Sequence, residues 1–188
     1  MVQRREYLQQ LKVWKDEKVI KVVTGIRRCG KSTLLQQFQT YLKENGVAEE
    51  QIISINFEEL EFEHLLSYRE LYAYIKERLC EGKMTYIFLD EIQKVESFEK
   101  VVDSLYVKDN TDIYITGSNA YMLSGDLATY LTGRYIELSM LPLSFREYHE
   151  LVGGEPERTF VEYMKTGGMP YVARMDRTAE KIDMYLEG

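Results

Sequence analysis

The feature that most constrains this chain is the stretch Val22 to Leu35, "VVTGIRRCGKSTLL". A short β-branched run, "VIKVV" at Val19 to Val23, leads into Gly25-Ile26-Arg27-Arg28-Cys29-Gly30-Lys31-Ser32. Leu34, Leu35, Phe38 and Tyr41/Leu42 then recur at helical spacing as far as Leu42. The pattern reads as strand, glycine loop, helix, and the loop fits G-x-x-x-x-G-K-[ST] at every position. Its glycines let successive backbone N–H groups turn inward as an anion nest, while the following helix points its positive end at the same place. The expected ligand is phosphate.

The spacing assigns roles within the loop. Gly25, Ile26, Arg27, Arg28, Cys29, Gly30, Lys31, Ser32 and Thr33 form the expected nucleotide-binding set. Lys31 is placed to reach the β- and γ-phosphates, Ser32 to ligate Mg²⁺, and Thr33 to lie near the α-phosphate. A second element, "TYIFLDE", ends a buried strand in Asp90-Glu91. Asp90 is expected in the magnesium shell, and Glu91 is placed to polarise water for attack on a γ-phosphate. The alternative is that the acidic pair caps the helix that follows.

Further strand candidates are "QIISINF" ending near Asn56, "DIYIT" ending at Thr116, and "RYIEL" from Arg134 to Leu138; helical patterns fall at about 68–80 and 98–106. Strands alternating with helices predict an α/β fold, a three-layer α/β/α sandwich whose parallel sheet binds ligand beyond the carboxyl ends of its strands. Three more residues fall near those ends or loops. Asn56 is placed to hold the Glu91 carboxylate in an inactive pose. Ser118 or Asn119, in "TGSNA", is placed to sense the γ-phosphate or orient water, with a turn and helix N-cap as the alternative. Arg134, in "LTGR", is a candidate arginine finger or internal sensor, with an exposed ion pair as the alternative. Residues 1–141 form the expected core. Residues 142–188, with "PLSFREYHEL", "RTFVEYMKTGGMPYV" and "AEKIDMYLEG", read as a helical lid or the start of another domain.

Bulk properties exclude several classes. A formal net charge of -7 over 188 residues does not support coating of nucleic acid. Cys29 and Cys80 lack metal-ligand spacing and are too few for a disulfide framework, so both are expected as thiols in the cytoplasm. No apolar run is long enough for a bilayer and no signal-peptide pattern opens the chain. The glutamates of "NFEELEFEHLL" read as a solvated face; His64 and His149 lack partners at metal or triad spacing. Tyr7, Leu8, Leu11 and Trp14 form one packing stripe of a short N-terminal helix.

With these residues assembled, the chain resembles the prokaryotic AAA-type P-loop ATPases. The resemblance rests on "TGIRRCGKSTLL", "YIFLDEIQ", "YITGSNAYML", "LTGRY", "LPLSFREY" and "GGMP", in that order. It implies an ASCE-type P-loop NTPase core with strand order 5-1-4-3-2, ATP with Mg²⁺, and a C-terminal effector domain beyond this stretch. A homo-oligomer is left open. The function expected is Mg-dependent ATP hydrolysis that switches an attached or partner domain. The alternatives are a nucleotide-gated switch with little turnover, or a P-loop phosphotransferase. Asn-Lys-x-Asp is absent, which disfavours a GTPase.

Because backbone amides carry phosphate binding in such a loop, the side chains from Ile26 to Cys29 are chemically free. Arg27 and Arg28 raise the local anion potential or pair with a neighbouring acid, and Cys29 is small enough to fit, with a thiol open to oxidation. Arg28→Ala is therefore expected to weaken coupling or stability more than Lys31→Ala, and Lys31→Ala to lose more phosphate affinity. Equal losses of nucleotide affinity in a binding titration would contradict this division.

Overall fold

Alternation along the strands divides the core in two. Ile20 and Val22, Ile53 and Ile55, Ile87 and Leu89, and Ile113 and Ile115 belong to one buried cluster; Val23, Tyr86, Phe88, Tyr114 and Leu138 belong to the other. The computed structural model describes residues 2–117 and 131–175. Its strands are β1 (Ile20–Gly25), β2 (Ile52–Asn56), β3 (Thr85–Asp90), β4 (Thr111–Thr116) and β5 (Tyr135–Met140). They form one parallel sheet in the order β2-β3-β4-β1-β5, which read from the β5 edge is 5-1-4-3-2.

Helices α1 (Arg5–Val13) and α2 (Lys31–Glu44) cover one face through Leu11, Leu34, Leu35, Phe38 and Leu42. Helices α3 (Tyr68–Lys76) and α4 (Phe98–Tyr106) cover the other through Leu71, Ile75, Val101, Val102 and Leu105. With both faces covered, β1, β3 and β4 are buried along their whole length, which is why they read as apolar runs. Each fully buried Leu or Phe in these layers contributes about 1.5–3 kcal/mol.

Two boundaries differ from the sequence pattern. α3 stops at Lys76, short of Cys80, because the Cys80 backbone is held in the turn that feeds β3: its N–H donates to Thr85 Oγ1 and its carbonyl accepts from Asn110 Nδ2. β5 runs on to Met140 because its pairing with β1 continues to the Gly25–Met140 step. Trp14 is the residue after α1 and is 37% exposed, so the packing stripe consists of Tyr7, Leu8 and Leu11.

After β5, helices α5 (Phe145–Val152) and α6 (Pro156–Thr166) build a third cluster in which Leu143, Tyr148 and Ala173 pack with Val2 from the chain's start. Ser144 and Glu147 form a reciprocal capping box that starts α5. Pro156 opens α6, and Gly167, at φ +72°, ends it. The helical pattern of "AEKIDMYLEG" lies outside the described residues. Among the described residues, no helix is long and apolar enough to cross a membrane.

Beneath α1 lies a buried polar network. Lys21 Nζ donates to Asp112 Oδ1 at 2.5 Å with both side chains fully buried, and also to the Glu17 carbonyl at 2.8 Å. Asp112 Oδ2 accepts from the Tyr114 hydroxyl and from the Asp16 N–H. Burial and the Asp112 carboxylate push the Tyr114 hydroxyl far above the ordinary tyrosine range, so it stays a donor. The network pins the connection between α1 and β1 to the sheet. Removing one partner of a buried pair strands the other charge. Lys21→Met is expected to cost about 3 kcal/mol in urea unfolding, whereas Lys18→Met, which removes an exposed contact with Asp109, is expected to stay within about 0.5 kcal/mol of wild type.

Candidate functional site

β1 delivers the glycine loop to the carboxyl edge of the sheet. A Cβ on Gly25 would meet the Met140 carbonyl oxygen at 2.5 Å and Cys29 Sγ at 2.9 Å, so only glycine fits where the strand becomes the loop. Arg28, at φ +66°, and Gly30, at φ +106°, then turn the backbone through the left-handed region, the alternation that gathers amides into a nest. The Leu34 N–H donates to the Gly30 carbonyl at 3.0 Å, which starts α2. Arg27 is exposed and lies 3.5 Å from Glu58, while Arg28 lines the cavity described below. Cys29 is fully buried; desolvation pushes its thiol up, against the pull of Lys31 and Arg4. A buried, protonated thiol resists oxidation, which corrects the expectation of a redox-sensitive cysteine.

Lys31 is 4% exposed. Its Nζ lies 3.3 Å from Glu91 Oε1 and donates to the Gly25 carbonyl at 3.3 Å. The register Leu89↔Ile115 carries Asp90 beside Thr116 at the end of β4. The Thr116 hydroxyl donates to Asp90 Oδ1 and accepts the Glu91 N–H at 2.9 Å. The Ser32 side chain lies near the same carboxylate. Burial pushes Asp90 above the ordinary carboxylate range; the hydroxyls of Ser32 and Thr116 pull it back, the Glu91 charge adds to the rise, and Lys31 opposes it. Glu91 sits at φ +55°, a left-handed conformation that is uncommon without glycine and that turns the chain out of β3. Gln93 Nε2 donates to its Oε2 at 2.5 Å.

The loop, Glu91 and α5 border one cavity of about 740 Å³. Its lining includes the charged and polar Arg28, Lys31, Ser32, Glu91 and Arg174 together with the apolar Val2, Leu143 and Leu151 and the ring of Tyr171. A cavity lined by both cationic and apolar side chains suits a ligand that carries an anionic part and an apolar part.

Two expected residues lie elsewhere. Asn56 pairs in register with Asp90, but its carboxamide serves its own turn: Nδ2 donates to Glu59 at 3.0 Å and Oδ1 accepts the Glu58 N–H. Lys31 and Gln93 hold Glu91 instead. Arg134 precedes β5, and β5 runs parallel to β1 with Tyr135 opposite Ile20 and Met140 opposite Gly25. About 20 Å of strand therefore separates Arg134 from the loop, which removes the internal-sensor role. Arg134 pairs with the half-exposed Asp103, the alternative noted from sequence. Ser118 and Asn119 lie outside the described residues. Among the described residues, no cluster of His, Cys, Asp and Glu could hold a metal by itself.

Sequence reasoning missed Thr116, Gln93, Arg4 and Arg174. For Thr116 the signal was present, a hydroxyl at the end of the strand beside the Asp-Glu strand. For Arg4, 25 residues before the Cys29 carbonyl it binds, no local pattern existed.

The profile of the family described as AAA domain matches residues 17–149. The chain belongs to the AAA-domain family. An uncharacterized protein of Haemophilus influenzae is 43% identical over 182 residues, covering 94% of this chain and 46% of the relative. An uncharacterized protein of Methanocaldococcus jannaschii is 33% identical over 186 residues, covering 90% of this chain and 40% of the relative. The chain thus spans less than half the length of these two relatives. Among solved structures, the Walker-type ATPase of Pyrococcus abyssi aligns with TM-score 0.64 at 17% identity, over 92% of this chain and 66% of that one. The Aeropyrum pernix ORC1 protein, solved in complex with DNA, aligns with TM-score 0.55 at 14% identity, over 86% of this chain and 50% of that one. These two likenesses concern the fold. The AAA-domain membership makes this a nucleotide-binding, ATPase-like module.

Thr116→Val keeps the shape of the residue and removes the hydroxyl that joins Asp90 to the Glu91 amide. It is expected to cost about 1–3 kcal/mol in urea unfolding. A loss below about 0.5 kcal/mol would show that the hydroxyl does not join them.

Proposed function

We propose that this AAA domain binds ATP with Mg²⁺ and hydrolyses it, and that the cycle switches an attached or partner domain. The observation that carries this reading is that Lys31, Ser32 and Glu91 line a single cavity with the buried carboxylate of Asp90 close behind them. Ser32 and Asp90 lie near each other and supply hard oxygen donors, a set that suits magnesium. When bound, the ion would neutralise charge on the β- and γ-phosphate oxygens. Lys31 turns from Glu91 to the phosphates, the loop amides bind their oxygens, and Glu91, released from Lys31, takes a proton from the attacking water.

The Lys31–Glu91 ion pair also favours the second reading, a nucleotide-held switch with slow turnover, because the base begins engaged with the lysine. Arg134, about 20 Å from its own loop, could act as a finger only on the nucleotide of another copy, so that role belongs with an oligomer. Partners and substrates of any longer protein are part of this proposal alone.

Wild type is expected to release phosphate from ATP only with Mg²⁺. Glu91→Gln is expected to lower kcat about a hundredfold with ATP still bound, and labelled phosphate should appear as free phosphate. Equal rates for wild type and Glu91→Gln would sink the hydrolysis reading and leave the switch, while label on a small acceptor would establish a phosphotransferase.

A further inference from the structure

Arg4 stands before α1, outside the glycine loop, and is 3% exposed. Its guanidinium joins three parts of the chain. Nη1 donates to the Cys29 carbonyl at 3.0 Å, Nη2 donates to the Leu141 carbonyl at 2.7 Å, and Nε lies 2.9 Å from Glu147 Oε1 without the alignment of a hydrogen bond. The Tyr7 ring lies 4.9 Å from the guanidinium carbon. A planar fork fixed from β5's exit, from α5 and from an aromatic face has little freedom to swing.

The contact with Cys29 matters because of what shares its peptide plane. In a trans peptide the carbonyl and the following N–H point in opposite directions. Fixing the Cys29 carbonyl toward Arg4 therefore turns the Gly30 N–H away from Arg4. Gly30 is the N-cap of α2, and the first amides of a helix have no acceptor within it. A hydrogen bond from a cation to a carbonyl also polarises that peptide and strengthens its N–H as a donor. Gly30 has the freedom to obey, since its φ of +106° is one a side chain would resist.

We infer that Arg4 is a positioning residue of the phosphate site: by holding the Cys29 carbonyl it aims the Gly30 amide at a bound phosphate and strengthens it. Glu147 and the Leu141 carbonyl hold Arg4 in turn. The inference rests on the reading of the loop as a nucleotide phosphate site.

The test measures pyrophosphate and ADP affinity by calorimetry, well below the unfolding temperature, for wild type, Arg4→Ala, Arg4→Gln and Glu147→Gln. Arg4→Ala is expected to weaken both ligands about tenfold, in line with one charge-assisted hydrogen bond. Equal losses are expected because the effect falls on the phosphate and not on the base. Glu147→Gln retains a residue suited to the capping box while removing the charge that holds Arg4, and a loss of about threefold is expected. In ¹⁵N spectra the Gly30 amide should move downfield with pyrophosphate in wild type and less in the Arg4 variants. Should Arg4→Ala fail to fold, Arg4→Gln and Glu147→Gln carry the same prediction. Variants with lowered Tm but wild-type affinities and an unchanged Gly30 shift would overturn the inference and leave Arg4 a tie between segments. Wild type that binds neither ligand is a different result; it overturns the nucleotide reading, and the inference with it.

Discussion

The Gly25 backbone presses so close to the Met140 carbonyl that a methyl group there would overlap it. β1 therefore turns into its loop while still paired to β5, and the loop's position relative to the sheet follows from that step. β4 lies on the other side of β1 and β3 beyond it, so the ends of three strands present Gly25, Thr116 and Asp90 along one edge. α2 begins directly above that edge. Without this approach the loop would have no fixed height above the carboxylates, and the placement of Ser32 and Lys31 beside Asp90 and Glu91 would not be specified by the sheet.

The same edge explains why charged residues are tolerated in a nearly dry place. Asp90 is buried at a cost that the nearby hydroxyls of Thr116 and Ser32 and the charge of Lys31 partly offset. Lys31 is buried against a carboxylate and two carbonyls. Such pairs add little to stability compared with apolar packing. Their presence at the one edge bordering a large cavity fits residues retained for ligand chemistry.

What was legible in the sequence was local. The glycine loop and Asp90-Glu91 are contiguous patterns whose geometry is imposed by the backbone of a few residues, and β1, β3 and β4 were legible because burial on both faces makes them largely apolar. Strand order came from resemblance, since no periodicity encodes which strand lies beside which. Asn56 illustrates the limit. Register brought it to the right strand end, yet a short polar amide beside a turn binds its own backbone two residues on, and it was captured there. Arg134 failed as a sensor in its own copy because a residue ahead of a parallel strand lies at the far end of that strand. Thr116 and Gln93 act through one or two side-chain contacts that propensity does not register, and Arg4 acts across a separation that only a folded chain can close.

That separation bears on the order in which the molecule assembles. The bond from Arg4 to Leu141 spans 137 positions, and Glu147 lies farther still. Contacts so distant along the chain carry a loop-closure cost that nearer pairings do not. On a ribosome, the strands through β4 can find one another while Leu141, Glu147 and the later cavity-lining residues are still being made. The cavity then closes after those strands have paired, so a nascent or partly unfolded chain carries the glycine loop before it carries a finished site.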